Sequence, residues 1–363
     1  MYALSLTSPI EGRQTGEAGN LHFRYCKLLH EENLDNPNPF TVFASFLTGA
    51  YALLANPSTI STGISFISVS IRLAQQIRLG EEGPIYWVSA RGNILGSQQG
   101  TGKEFCTLLY YCLYEVDFYC AYVRKLPFVL PSEFQLDAAP NFQPNTHNSF
   151  YGSNIWRYYI PLLKLSRKIA DSMWQKPKDS LVHNLREKEF YNTQLYRWFD
   201  SLPQWMRTVS NDYTSDLLSQ EPAPWYVAYI QCFYFSALIV LNKTAFVEIM
   251  QTNPNPATHP VVLNCIENAN NIIKITKVFL QSNPIFSNIP LYIYYDIFMA
   301  GAVHCITLRL YGPRPEVIDS INVAISALST LALNVSVVNE RIKLLQQWMT
   351  DPIYGTKAFG EII

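Results

Sequence analysis

Charged residues are scarce in this chain of 363 residues. Asp, Glu, Lys and Arg make up 15% of it, whereas ordinary soluble proteins carry about 25%. The 27 basic and 28 acidic residues leave a formal net charge of −1. Because binding to a phosphate backbone requires a concentrated basic face, we expect no contact between this chain itself and DNA. Disorder is also excluded, since 48% of the residues are hydrophobic and 14% are aromatic.

Paired cysteine motifs are absent from the sequence. The seven cysteines include no C-x-x-C pair, their number is odd, and most of them lie within apolar runs. This pattern argues against a disulfide scaffold or a zinc cluster and favours buried thiols in a reducing intracellular compartment. We therefore expect no metal site in this chain.

A signal peptide and a membrane span are also not expected. The first 14 residues lack a basic stretch followed by an apolar core. The most apolar run, residues 225–241, is interrupted by Gln231 and is shorter than the roughly 20 apolar residues of a membrane span. A second run, 292–306, contains Asp296 and His304. Both runs are therefore interpreted as core helices, without a membrane.

Apolar residues recur with the helical period of about 3.6 residues along most of the chain. The pattern is clearest over 105–123 and over 64–77, and prolines at 260, 290 and 315 fall where first-turn prolines belong. Strand signals are weak, and the segments 81–103 and 131–150 are predicted to be connectors. Helices over 226–241 and 291–306 are apolar nearly all round, which places them inside a multi-layer bundle. The fold class predicted is all-α, a single multi-layer bundle of about ten helices.

Catalytic motifs do not match. The segment 96–104 resembles a phosphate-binding loop, but Ser97 takes the place of its first glycine and the carboxylate of Glu104 the place of its hydroxyl. No zinc-binding H-E-x-x-H pair and no G-x-S-x-G turn occurs. His304, on an apolar helix, is interpreted as a hydrogen-bonded core histidine. We name no catalytic residue and predict that the chain is not an enzyme.

Asp117 is the most unusual polar residue of the predicted helices. It lies among Tyr111, Tyr114 and Phe118 on a helix that is otherwise apolar. A buried carboxylate must be paired or hydrogen-bonded, because an isolated buried charge is very costly. We expect a structural anchor to a tyrosine hydroxyl, an arginine or a backbone amide. The alternative is a polar group inside a ligand cavity.

The segment around Asp117 resembles the fungal-specific regulatory domain of zinc-cluster transcription factors, often called the middle homology region. That family shows roughly W-x-L-Y-x-x-D-R-x-x-S-x-x-x-G-R-P. Residues 111–117 (YCLYEVD) align with its start, with Tyr111 in place of tryptophan, and Pro127 falls ten residues after Asp117. Pro140 closes the acidic stretch that follows. Phe118, Ala121 and Lys125-Leu126 depart from the pattern.

Further motifs of that family occur in the expected order. Residues 70–80 (SIRLAQQIRLG) are similar to A-x-R-L-A-x-x-L-G-L-H and include Arg72, with Arg78 standing at the family's glycine and Gly80 at its histidine. Residues 195–203 (LYRWFDSLP) are similar to L-x-x-W-x-x-x-L-P and include Trp198. Residues 265–269 (CIENA) resemble C-x-x-A-A, with Asn268 in place of an alanine. The resemblance extends over most of the chain, from about residue 20 to 350.

The resemblance implies an organisation and a function. It assigns an N-terminal segment 1–20, a regulatory domain 21–350 and a C-terminal tail 351–363. The function implied is control of RNA polymerase II transcription in the nucleus, through a small-molecule effector or a coregulator protein. The resemblance also implies that the chain can form a homodimer. Arg72, Tyr111, Tyr114, Asp117, Pro127 and Trp198 are the motif residues carried over, as structural or effector-pocket residues. An effector cavity is expected among helices 105–124, 225–248 and 290–310.

Zinc and DNA contacts belong, by the same resemblance, to a cysteine-rich DNA-binding part that is missing from this sequence. We expect zinc only in such a missing N-terminal part. The chain itself is expected to be a truncated form, a fragment, or a family member that lost that part.

Two other functions remain as alternatives. A helical scaffold or interaction protein without a ligand would have the same composition. An all-α enzyme with an aromatic cavity, as in isoprenoid chemistry, would need clustered magnesium-binding carboxylates such as D-D-x-x-D. The acidic pairs Glu31-Glu32 and Glu81-Glu82 lack the third carboxylate, which makes the enzyme the weaker alternative.

Overall fold

The computed structural model describes twelve ranges of the chain: 23–28, 37–55, 57–79, 86–88, 94–97, 101–124, 126–130, 153–175, 181–207, 224–282, 293–332 and 337–362. Among the predicted features, the segment 1–20 and Pro140 lie outside these ranges. Residues 23–28 form a short helical stretch. The longer helices follow in chain order: α1 Pro39–Ala55, α2 Ile60–Gln76, α3 Thr101–Arg124, α4 Ser153–Gln175, α5 Leu181–Asp200, α6 Gln204–Arg207, α7 Pro224–Thr252, α8 Pro260–Ser282, α9 Ile293–Tyr311, α10 Pro315–Ala332, α11 Val338–Thr350 and α12 Pro352–Ile362.

The all-α prediction is confirmed by these helices. One detail differs, because the predicted connector 81–103 contains a small antiparallel hairpin. Its strands are β1, Tyr86–Val88, and β2, Ile94–Ser97, with Trp87 opposite Gly96 and an irregularity between Trp87 and Val88. Strands of three and four residues are too short to give the periodic signal of a strand, which explains why the segment was predicted to be a connector.

The chain divides into two compact units. Unit 1 comprises Met1–Gln143 and Leu333–Val337, and unit 2 comprises Pro144–Ala332 and Val338–Ile363. The division falls inside the predicted connector 131–150. It therefore separates residues that the sequence analysis had assigned to one region, 21–350.

The predicted C-terminal tail 351–363 is largely helical. Helix α12 begins at Pro352, a residue suited to the first helical turn. Its Phe359 is fully buried and makes edge-on ring contacts with Trp348 of α11 and Phe246 of α7. These ring contacts make α12 part of the core of unit 2.

Unit 1 is built on a close contact between α1 and α2. A Cβ atom added at Gly63 would lie 2.7 Å from the backbone nitrogen of Leu53, and one at Gly49 would lie 2.8 Å from a methyl of Ile67. The hydroxyl of Ser70 donates to the carbonyl of Val42 at 2.8 Å. These contacts need two glycines and a small hydroxyl, since larger side chains would force the helices apart.

Unit 2 is organised around α9, in which every residue from Ile293 to Thr307 is buried. Helices α7, α8, α10, α11 and α12 all pack against it. Residues 227–241 of α7 are likewise buried, apart from the half-buried Phe233. The prediction that the two most apolar helices lie inside the bundle is confirmed.

One helix in the described part of the chain, α7, contains a stretch long and apolar enough to cross a membrane by length and composition, Val227–Thr252. Most of this stretch is buried inside unit 2. Burial in a protein core selects for the same apolar side chains as a membrane does, so packing accounts for its composition.

Candidate functional site

Asp117 holds the chain segment that follows α3. One oxygen of its carboxylate accepts a hydrogen bond from the backbone N–H of Val129, and the other accepts one from Leu130, both at 3.0 Å. The Asp117 side chain is 2% exposed. Because charge-assisted hydrogen bonds are about twice as strong as neutral ones, this pair compensates for burying the carboxylate. We call residues 117 and 126–130 the Asp117 clasp.

The spacing of the motif follows from the clasp. Pro127, an exposed residue, lies between the end of α3 and the two captured amides, and it restricts the backbone where the chain reverses. Leu126 N–H donates to the carbonyl of Ala121 at 3.1 Å, and Phe128 stacks on Phe118. The anchor interpretation of Asp117 is therefore confirmed, with backbone amides as the partners.

The two motif tyrosines lie on α3 as buried residues. Tyr111 is 2% exposed and Tyr114 is 3% exposed. Burial raises the pKa of Tyr111 to about 12, because the charged phenolate is disfavoured away from water. Tyr111 is therefore neutral, and both residues belong to the core of unit 1.

The remaining two motif residues lie elsewhere. Arg72 is exposed on α2. Trp198 lies in unit 2, where its indole N–H donates to the carbonyl of Tyr158 at 3.0 Å and its ring lies 5.4 Å from that of Tyr234. Trp198 thus ties α5 to α4 and α7. Of the six predicted residues, Asp117 and Pro127 therefore belong to the Asp117 clasp, Tyr111 and Tyr114 are buried on the same helix as Asp117, and Arg72 and Trp198 lie elsewhere.

The end of α2 has an unusual backbone. Arg78 has a φ of +54°, which places it in the left-handed region that favours glycine. The N–H of Arg78 donates to the carbonyl of Gln75, and the N–H of Leu79 donates to the carbonyl of Ala74 at 2.8 Å. This is the Schellman arrangement, whose left-handed position usually carries glycine. Arg78 stands at the position where the resembling sequence pattern has glycine.

A second polar cluster, which was not among the predicted sites, lies inside unit 2. Asp296 of α9 is 3% exposed and is hydrogen-bonded to Ser236 of α7, with Cys232 close by. Burial raises the pKa of Asp296 to about 8, and the Ser236 hydrogen bond only partly offsets this. The side chain is therefore largely a neutral carboxyl at pH 7. The available signal was a lone Asp in a helix that is apolar all round.

His304 lies two turns further along α9. It is 3% exposed, which agrees with the core interpretation, but its Nε2 atom is buried and makes no hydrogen bond to a described residue. Burial lowers the pKa of His304 to about 4, so the ring is neutral at pH 7. His304 was predicted to be hydrogen-bonded in the core, but its Nε2 atom has no such bond to a described residue.

All seven cysteines lie within the described ranges as free thiols, and five of them are buried. Burial raises the pKa of Cys112, Cys265 and Cys305 to about 12 in each case, which keeps them as unreactive thiols. Among the residues that the structure describes, no group of three or more His, Cys, Asp or Glu is placed to hold a metal ion.

Helices α7 and α9, two of the three expected to line an effector cavity, pack against each other in unit 2. The third, α3, belongs to unit 1. Comparison with known proteins adds no further assignment, since no family model, curated protein or solved structure matches the chain.

Proposed function

We propose that this chain is the regulatory domain of a transcription regulator of the fungal zinc-cluster type. In this proposal it controls RNA polymerase II transcription in the nucleus through a coregulator protein or a small-molecule effector, without catalysis. Contact with DNA, and zinc, would be supplied by a separate cysteine-rich part.

The Asp117 clasp is the observation that carries this proposal. A motif of helical packing alone would tolerate any loop length after the helix. Here both oxygens of one buried carboxylate hold the amides two and three residues beyond Pro127. A fixed distance between the Asp and the Pro is therefore a physical requirement of the clasp, and it matches the spacing of the family pattern.

The left-handed Arg78 supports the same proposal independently. It lies in unit 1 on a different helix, at the position where the family pattern has glycine. A glycine in such a pattern is expected where the backbone has positive φ or where another segment approaches closely, and Arg78 meets the first of these conditions.

A tethering experiment tests the proposed role. The chain is fused to an unrelated DNA-binding domain in a fungal host that carries a reporter gene behind the matching sites. We expect reporter transcription to differ several-fold from that given by the DNA-binding domain alone. Asp117→Ala should remove the difference, whereas Asp319→Ala, which breaks an exposed ion pair to Lys277, should keep it.

An unchanged reporter, with the fusion present in the nucleus at equal amount, would contradict the proposal. The chain alone should also fail to shift a duplex DNA probe in a sequence-selective, salt-sensitive manner. A selective shift would show that this chain itself reads DNA.

A further inference from the structure

Two helices of unit 2 present polar side chains to each other. Helices α5 and α8 both pack against α7. On α5, Lys188, Asn192 and Tyr196 follow one another at intervals of four residues, which places them on one face of the helix. The hydroxyl of Tyr196 accepts a hydrogen bond from the Nδ2 atom of Asn264 on α8 at 3.4 Å. This face of α5 is therefore directed towards α8.

Helix α8 contributes polar side chains from the other side. Asn268 donates to the backbone carbonyl of Asn264 at 2.8 Å and to its side-chain oxygen at 3.0 Å. The thiol of the buried Cys265 lies near the amine of Lys188, since each affects the pKa of the other. We call the polar residues of both helices the α5–α8 polar seam: Lys188, Asn192, Tyr196, Asn264, Cys265 and Asn268.

Asn192 places a buried acceptor in the middle of the α5–α8 polar seam. It lies about one helical turn from Lys188 and one turn from Tyr196, the two residues of α5 that approach α8. Its Oδ1 atom is buried and accepts no hydrogen bond from any residue that the structure describes. Buried polar atoms of native proteins are nearly always hydrogen-bonded, because an unmet acceptor has lost its bond to water without replacement. Asn192 Oδ1 therefore requires a donor that the described residues do not supply.

Lys188 places an amine beside this acceptor. Its side chain is half-buried. Burial lowers the pKa of Lys188, and the nearby thiol of Cys265, rather than a carboxylate, partly offsets this. Glu187 and Glu189 are its neighbours in the sequence, but side chains one residue apart point about 100° away from each other around a helix. An ammonium group that has lost part of its water gains from an anionic acceptor that replaces it.

We propose that the α5–α8 polar seam binds a small carboxylic acid that carries an amino or hydroxyl group on the neighbouring carbon. The carboxylate of the ligand accepts a hydrogen bond from Lys188 Nζ, while its amino or hydroxyl group donates to Asn192 Oδ1. In an α-amino or α-hydroxy acid these two groups are on adjacent carbons, which suits two side chains one helical turn apart. This inference rests on the proposed function for its regulatory meaning and names the chemical class of the effector.

Thermal denaturation of the full chain tests the proposal. The probes are the standard L-amino acids and L-lactate, each compared with the amide of its α-carboxyl group, which keeps the donor but lacks the negative charge. We expect at least one acid to raise the melting temperature by about 2–5 °C at ten times its Kd. The amide of that acid should have little effect.

Isothermal titration calorimetry with that acid then locates the site. Lys188→Met and Asn192→Leu should each weaken binding about tenfold or more, because each removes one of the two hydrogen-bonding groups. Without ligand, Asn192→Leu should keep or raise the melting temperature, since it removes an acceptor that no described residue satisfies. The matched control makes the same two changes at exposed positions of α8, Asn270→Leu and Lys274→Met, and should leave binding unchanged.

Several outcomes would overturn the proposal: no response to any acid, equal binding of an acid and its amide, or unchanged binding by the variants of Lys188 and Asn192. A lower melting temperature of ligand-free Asn192→Leu would also overturn it, because another part of the chain would then supply the donor. The proposed transcriptional role is tested separately, since the tethered reporter can fail while the purified chain still binds the acid.

Discussion

The carboxylate of Asp117 accepts a hydrogen bond from the backbone N–H of Leu130 at 3.0 Å, across thirteen positions of the chain. Its other oxygen accepts from the neighbouring amide of Val129 at the same distance. Asp117→Ala leaves two backbone donors without their acceptors, one of them on the buried Leu130. We expect a loss of roughly 1–3 kcal/mol in the free energy of unfolding, measured by urea denaturation.

Asp117→Asn should cost less than Asp117→Ala, because the amide oxygen keeps one acceptor. Asp319→Ala is the control, since an exposed ion pair contributes about 0–1 kcal/mol. An unchanged midpoint for Asp117→Ala would show that the clasp does not contribute to stability.

Arg78→Gly should stabilise unit 1. Arg78 is held at a φ of +54°, and a residue with a Cβ atom costs about 1 kcal/mol in that region, whereas glycine adopts it freely. After the larger backbone entropy of glycine in the unfolded chain, about 0.4–1 kcal/mol, is subtracted, a gain of at most about 0.6 kcal/mol is expected. Arg78→Ala keeps the backbone strain, so its effect on stability measures what the arginine side chain itself contributes. Destabilisation by the glycine variant would mean that the arginine side chain contributes more than the backbone strain costs.

Two Gly→Ala substitutions should have contrasting effects on the stability of the folded chain. In an exposed helix interior, alanine is favoured over glycine by about 1 kcal/mol. At Gly360 of α12 the added methyl would meet a methyl of Val247 at 3.4 Å, so Gly360→Ala should be neutral or stabilising. At Gly63 it would meet the Leu53 nitrogen at 2.7 Å, and overpacking of this kind costs about 1–3 kcal/mol. Thermal denaturation of both variants checks the contrast, and equal shifts would contradict the close contact of α1 and α2.

The pH dependence of stability should reflect Asp296 and His304 on α9. The pKa of Asp296 is raised from 3.8 to about 8 in the folded chain. Between those values the folded state binds more protons than the unfolded state, so Asp296 makes stability fall as the pH rises from about 4 to about 8. The pKa of His304 is lowered from 6.5 to about 4, so His304 makes stability fall as the pH decreases over that range.

Denaturation curves at several pH values separate these two effects. Asp296→Asn removes the ionisable group and should reduce the loss of stability between pH 6.5 and 8. The largest slope that one proton contributes is about 1.4 kcal/mol per pH unit. His304→Gln should reduce the loss below pH 6.5. Curves for both variants that run parallel to that of the original chain would show that neither group is buried as described.

The helical period and the low charge by themselves determined the fold class and the location of the core. Residues 226–241 and 291–306 have no polar face, so burial on all sides was the one arrangement that keeps their side chains from water. The polar exception at Asp117 also followed from the sequence, because a carboxylate among buried aromatics needs a partner. Which partner it has did not follow, since the amides of Val129 and Leu130 carry no side-chain signature.

Only the tertiary structure decided how the helices are grouped and which polar residues meet. The division between Gln143 and Pro144 and the packing of α12 depend on contacts between residues far apart in the chain. The pairing of Asp296 with Ser236 likewise depends on how α7 and α9 are placed against each other. Helical periodicity reports the face that a residue occupies, but not which helix covers that face. The position of Arg78 in the left-handed region is decided by the end of α2, where two backbone hydrogen bonds outweigh the preference of arginine for negative φ.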